Sequence, residues 1–183
     1  MNISATAIAG VWIAESTVRQ DHRGAFSRLF CAEEESSFLQ GRSIVQINLS
    51  LTTAAGAIRG LHFQHPPRAE MKIVRCLRGR VFDVAVDLRK GSPSFLKWIA
   101  VELAPDNHRA LVIPEGCAHG FQVLEANSEL LYLHTEFYSP ACEGGVRFDD
   151  PMVGIDWPLP PRDLSERDLG HPPLAGSFEG LSI

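Results

Sequence analysis

The sequence predicts an all-β fold, a sandwich or barrel of the group that includes jelly rolls. Three observations predict it: apolar, β-branched segments of strand length recur along the chain, turn residues separate them, and helix signals are sparse. In order, the segments are Ser43–Leu49, Met71–Leu77, Val81–Leu88, Trp98–Leu103, Ala110–Ile113 and Leu130–Phe137. Gly56, Gly79, Gly91-Ser92-Pro93, Pro105-Asp106-Asn107 and Pro114-Glu115-Gly116 punctuate them. Near the N-terminus, Ile8-Ala9-Gly10-Val11-Trp12-Ile13 reads as an apolar strand seeking a partner. Ala32–Leu39 is the best candidate for a short helix. From Pro158 onward, proline and polar residues predict an irregular tail wrapping the barrel surface. No repeat, low-complexity tract or linker divides the chain, so the expectation is one domain over 1–183.

The bulk properties narrow the class. A chain of 183 residues, 45% hydrophobic and 21% charged, is long enough to bury a proper core. Its formal net charge of -5 argues against a nucleic-acid binder, which would usually present a basic face. No apolar run approaches the length of a membrane span, and Met1–Gly10 lacks the pattern of a secretory signal. Cys31, Cys76, Cys117 and Cys142 are scattered, with no C-x-x-C pair and no zinc-like spacing. Reduced thiols in a cytoplasm are the default expectation.

Two stretches concentrate chemistry. In Arg59-Gly60-Leu61-His62-Phe63-Gln64, His62 and Gln64 share a strand face, because side chains alternate. In Pro114-Glu115-Gly116-Cys117-Ala118-His119-Gly120-Phe121, a turn ends in a histidine beside a glycine that permits close backbone approach. Histidines on different strands converge inside a barrel; each alone also reads as a hydrogen-bonded core histidine. Removing a proton next to a ketone requires a base, a cation for the enolate and an acid to reprotonate. Lys72 lies in the otherwise apolar run after His62, either as a snorkelling edge residue or as a buried functional cation. The two tyrosines, Tyr132 and Tyr138, are expected six apart on the strand Leu130–Tyr138 and so on one face. Either is an acid if it faces the interior, and a packing residue otherwise.

The paired stretches resemble the two cupin motifs, which implies a double-stranded β-helix (a jelly-roll barrel) with short helices and irregular termini. Gly56, His62 and Gly79 match the first motif, and Pro114, Gly116 and His119 the second. Gln64 stands where the second metal-binding histidine would be, and Glu70 lies slightly beyond the usual carboxylate spacing. A glutamine amide is a poor ligand for zinc or iron. The expectation is therefore no metal and no cofactor, with the histidines freed for proton transfer.

More specifically, the chain resembles the dTDP-4-dehydrorhamnose 3,5-epimerase family over most of its length. The matching stretches, in order, are Asp21–Phe26, Gln46–Ser50, Arg59–Gln64, Asp83–Arg89, Ile113–Phe121, Asp149–Pro151 and Leu164–Asp168. The resemblance implies that His62 is the general base and that Asp168 orients it. It implies that Lys72 stabilises the enolate and that Tyr132 is the acid. It assigns substrate binding to Arg23, Arg59 and His119, the arginines chiefly through the diphosphate. Phe26, Arg28, Gln46, Asn48, Tyr138, Glu143 and Arg167 complete the implied pocket for a nucleoside diphosphate-sugar. It further implies a homodimer in which Arg23 and Phe26 serve the neighbouring subunit's site. Strand parity, however, puts Arg59 opposite His62, so Gly60 must permit a bulge if both line one site.

The chain departs from the family pattern at three of these places. Arg28 stands where a glutamate contacting the nucleotide is usual, Arg167 where a lysine is, and Glu70 where glutamine is common. The sequence leaves open the nucleotide base and the choice between inversion at C3 and C5 and inversion at C3 alone. A sugar 3,4-ketoisomerase, a metal-dependent cupin dioxygenase or lyase, and a non-catalytic binding module are the other readings. Gln64 opposes the metal enzyme. The presence of base, cation and acid opposes the binding module.

Overall fold

The computed structural model describes residues 1–183. Strands β1 (Asn2–Ala5) and β2 (Trp12–Glu15) lead into a hairpin of β3 (Val18–Asp21) and β4 (Gly24–Ser27). A single-turn helix, α1 (Ser36–Leu39), precedes β5 (Gln46–Thr52), β6 (Ile58–Gln64), β7 (Lys72–Arg78) and β8 (Val81–Asp87). Next come β9 (Trp98–Leu103), β10 (Arg109–Ile113), β11 (Cys117–Val123), β12 (Ser128–His134) and the short β13 (Glu143–Gly145). A second helix, α2 (Glu166–Gly170), lies in the C-terminal tail. The all-β expectation is met by two antiparallel sheets, ordered β1-β2-β10-β7-β12-β5 and β13-β6-β11-β8-β9.

Where apolar residues run continuously, the strand is covered on both faces. All seven residues of β11 are buried, as are all of β8 except Phe82. One core cluster, which includes Val74, Val81, Leu103, Leu111, Phe121 and Leu130, joins strands of both sheets. The outer face of the five-stranded sheet is closed by the chain that follows β13, through Val146 and Val153, and by the tail, through Leu181. Parallel bridges Ala57–Arg162 and Arg89–Leu181 stitch that tail down, which is the wrapping predicted for the proline-rich segment. Phe38 and Leu39 of α1 cover the other sheet. Helix forms only over the second half of the predicted Ala32–Leu39; residues 32–35 make turns.

Strand β5 is built inside out. Its sequence alternates strictly, but the polar set (Gln46, Asn48, Ser50, Thr52) lines the interior cavity, while Ile47, Leu49 and Leu51 are exposed. At the other end of the same sheet's neighbour strand, β12 stops at His134. Tyr138 therefore does not extend that strand, a correction to the expected Leu130–Tyr138. Gln64, whose side chain spans the gap, explains the break. Its amide donates to the carbonyls of Arg68 (2.9 Å) and Phe137 (3.2 Å) and accepts from the N–H of Ser139 (2.6 Å). Those backbone groups serve a side chain instead of a ladder.

Glu35 caps α1 at 1% exposure with Oε2 unpartnered, and burial pushes its carboxyl up to about 7 from 4.5. The folded state thus holds a proton that the unfolded chain releases. The stability this contributes is full below about pH 4.5 and is lost as pH rises through about 7. Glu35→Gln is expected to match the parent in urea unfolding at pH 5 and to exceed it at pH 8 by roughly 1–3 kcal/mol. Equal gains at both pH values would contradict the account.

All four cysteines are free thiols, and burial pushes Cys76 up to about 11 and Cys117 up to about 12. No helix is long and apolar enough to cross a membrane.

Candidate active site

The two sheets part at one end to enclose a cavity of about 880 Å³. Eleven of the fourteen residues expected at the site line it. Gln46 and Asn48 come from β5, Lys72 from β7 and Tyr132 from β12, all in the six-stranded sheet. The opposing sheet supplies Arg59 and His62 from β6, His119 from β11 and Glu143 from β13. Tyr138 and the α2 residues Arg167 and Asp168 complete the lining.

The conflict between Arg59 and His62 is resolved by a bulge. His119 pairs with His62 and Phe121 with Arg59, so Gly60 and Leu61 together face the single residue Gly120. Gly60 has a φ of 117°, and a Cβ there would sit 2.6 Å from the Cα of Gly120. Only glycine fits that approach. Gly60→Ala is expected to cost about 1–3 kcal/mol in chemical denaturation and to raise KM, since Arg59 and His62 would no longer share a wall. Unaltered stability and KM would rule out the bulge as their organiser.

His62 and Asp168 form the tightest polar contact in the cavity. Nε2 of His62 lies 2.6 Å from Asp168 Oδ1, and Oδ2 accepts from the N–H of Gly60 at 3.3 Å. Ser165 caps α2 by accepting from the Asp168 N–H (3.1 Å), which fixes where this carboxylate stands. Burial opposes its ionisation, but the hydrogen bonds from His62 and Gly60 outweigh burial and hold it below the usual carboxylate range. The Nη2 of Arg167 also lies 3.0 Å from the same His62 nitrogen. A guanidinium only donates, so one nitrogen cannot serve both contacts. The shorter bond to an ionised acceptor decides: Nε2 carries a proton, so the ring's only available lone pair is that of Nδ1.

Across the cavity Tyr132 is half-buried, and burial raises its phenol above the ordinary value, which keeps it protonated. Its ring stands edge-on to His119, with centroids 6.0 Å apart. His119 is itself held by Asp83 at 2.8 Å, a carboxyl without solvent exposure that burial pushes up. At the mouth, Tyr138 donates to Glu143 (3.2 Å), which accepts from Arg167 (2.8 Å), a chain ending beside His62.

The chain matches the family model of dTDP-4-dehydrorhamnose 3,5-epimerase over residues 5–176. An enzyme of that name from Salmonella typhimurium is 45% identical over 181 residues, covering 95% of this chain and 96% of its own. The chain belongs to the dTDP-4-dehydrorhamnose 3,5-epimerase family. Among solved structures, the family's Legionella pneumophila enzyme, crystallised with dTDP-4-keto-L-rhamnose, superposes with a TM-score of 0.88 at 40% identity. That match covers 93% of this chain and 90% of the other. A Streptomyces bikiniensis 3'-monoepimerase in complex with dTDP-quinovose superposes with a TM-score of 0.85 at 34% identity, covering 92% and 85%.

Three of the residues that the family resemblance assigned to the pocket stand away from this chain's own cavity. Arg23, on the tip of the β3–β4 hairpin, binds Asp21 at 2.6 Å with its side chain 78% exposed. Phe26 is 69% exposed, and Arg28 pairs with Glu34. The hairpin pairs only with itself, which keeps Arg23 and Phe26 out of this chain's own cavity.

Sequence reasoning missed Asp83, His134 and His171, and gave Glu70 no role. Only Asp83 had a local signal, a carboxylate inside the apolar run of β8. His62, Asp168 and His171 have ligand atoms within 4.8 Å of one another, a composition that suits a metal. Arg167 opposes a cation there, since its guanidinium stands 3.0 Å from His62 and 3.7 Å from Asp168.

Proposed function

We propose that the protein is a cofactor-independent epimerase that inverts C3 and C5 of a dTDP-linked 4-keto-6-deoxyhexose. The observation that carries this reading is the placement of the two proton-transfer groups. His62, paired with Asp168, stands on one sheet, and the protonated Tyr132 stands on the opposing sheet, with the substrate space between them. Inversion needs a base on one face of the ring and an acid on the other.

In this mechanism the lone-pair nitrogen of His62 takes the proton from the carbon beside the ketone. The electrons move onto the carbonyl oxygen as an enolate, which Lys72 stabilises. Asp168 orients the ring and offsets the charge it gains. Tyr132 then delivers its proton to the opposite face of that carbon. Each inversion leaves His62 protonated and Tyr132 ionised, and exchange with solvent resets both. Arg59 and His119 hold the diphosphate and sugar, while Gln46, Asn48, Tyr138, Glu143 and Arg167 shape the rest of the pocket.

The protein acts as a homodimer in the cytoplasm, with Arg23, Phe26 and Arg28 on a hairpin that reaches a second copy. The exposed Ile47, Leu49 and Leu51 on an edge strand support an apolar interface. Four free thiols fit a reducing compartment.

Proton NMR of dTDP-4-keto-6-deoxyglucose in deuterium oxide tests the function, with CDP and GDP analogues alongside. Label entering at C3 and C5 is the expected result. Label at C3 alone would make the protein a mono-epimerase, and no exchange with any nucleotide would refute the reading.

A further inference from the structure

A buried ionic cluster on the floor of the cavity takes no part in the scheme above beyond its lysine. Lys72, Glu70 and His134 are 8%, 9% and 8% exposed. Lys72 on β7 and His134 on β12 are register partners, so their side chains lie in one row across the sheet. Glu70, two residues before Lys72, closes that row. Its Oε1 accepts from Lys72 Nζ at 3.1 Å and its Oε2 from His134 Nδ1 at 2.8 Å. The amide nitrogen of Asn48 lies 3.3 Å from His134 Nε2. An amide NH₂ only donates, so the imidazole accepts there and its proton sits on Nδ1, directed at Glu70.

This wiring restricts the ammonium. Lys72 Nζ also reaches the main-chain oxygen of His62 at 3.4 Å. Two of its three protons are thus turned to fixed acceptors, and the third is left for the cavity. A lysine on a four-carbon stem is otherwise mobile, and an oxyanion is stabilised well only by a donor already in place. A buried ammonium also loses its hydration, and a touching carboxylate offsets that loss. Burial opposes the ionisation of Glu70, yet its bonds to His134 and Lys72 hold it below the usual range, so the carboxylate is charged. A glutamine here could carry no such charge.

We propose that Glu70 and His134 are positioning residues for Lys72, a carboxylate clamp that aims the ammonium at the enolate oxygen. The proposal rests on the reading of Lys72 as the enolate's cation. It assigns Glu70 a role exerted wholly through that lysine.

The test is a double-mutant cycle on kcat, read by deuterium wash-in so that slow variants stay measurable. Glu70→Gln is expected to lower kcat roughly tenfold to a hundredfold with KM within about twofold. In a Lys72→Ala background the same change is expected to have no further effect. His134→Phe removes the second donor to Glu70 and is expected to act in the same direction by a smaller factor. It carries the test alone if Glu70→Gln does not fold. The chain has three lysines, Lys72, Lys90 and Lys97. With ¹⁵N-lysine labelling, the shielded Lys72 ammonium is expected to give a ¹H–¹⁵N signal, absent in Lys72→Ala and lost in Glu70→Gln. A Glu70→Gln enzyme at parental kcat, or one equally impaired with and without Lys72, would overturn the proposal while leaving the function intact. Undiminished kcat in Lys72→Ala would overturn the reading of Lys72 and the proposal together.

Discussion

His62→Ala is expected to abolish deuterium entry at both sugar carbons, lowering kcat by roughly 10²–10⁴-fold. The protein should stay folded, because the imidazole lies in the cavity and outside the three core clusters. Asp168→Asn should fall with it, for a reason the geometry supplies. The two carboxylate oxygens accept from two donors, the His62 ring and the Gly60 N–H. An amide offers one acceptor, so one of those donors must face an NH₂ group. Either the ring loses its tautomer or the Gly60 bulge loses its anchor. Wash-in at the parental rate in His62→Ala would end the proposed mechanism.

Tyr132→Phe is expected to separate the two halves of the proposed reaction. The base, its carboxylate and Lys72 are untouched, so proton removal continues. Without the phenol no proton arrives on the opposite face. The expected product is substrate that has gained deuterium from His62 with its configuration retained, while inversion drops by roughly 10²–10⁴-fold. Phenylalanine keeps the ring that packs against the core, so stability should change little. Exchange and inversion would be followed on one sample by NMR. If both were lost in parallel, Tyr132 would be needed before the proton is removed; if both survived, another group would be the acid.

Much of this site was legible in the chain. His62 beside Gln64, His119 after its turn, and Lys72 in an apolar run are local patterns, because each reflects one strand with one face turned inward. The glycine at position 60 likewise announced an irregularity, and the bulge is the form it takes. Tyr138 was misplaced because residues 130–138 are rich in apolar and aromatic side chains, and the side chain that ends the strand, Gln64, is far away in sequence. The same separation hid the dyads of His119 with Asp83 and His134 with Glu70, which join residues 36 and 64 positions apart.

By itself, then, the sequence determined the all-β class, the apolar segments that become the core, and the histidine, lysine, tyrosine and carboxylate proposed for proton chemistry. Strand propensity and side-chain alternation are properties of neighbours, and neighbours are written in order. Only the tertiary structure decided that His62 and Tyr132 face each other from different sheets, and that β5 turns its polar side inward. It also decided that Lys72 is held by a carboxylate and that the hairpin bearing Arg23 and Phe26 points away from its own cavity. Those outcomes depend on register and sheet order, which are settled by the packing of whole faces rather than by any local run of residues.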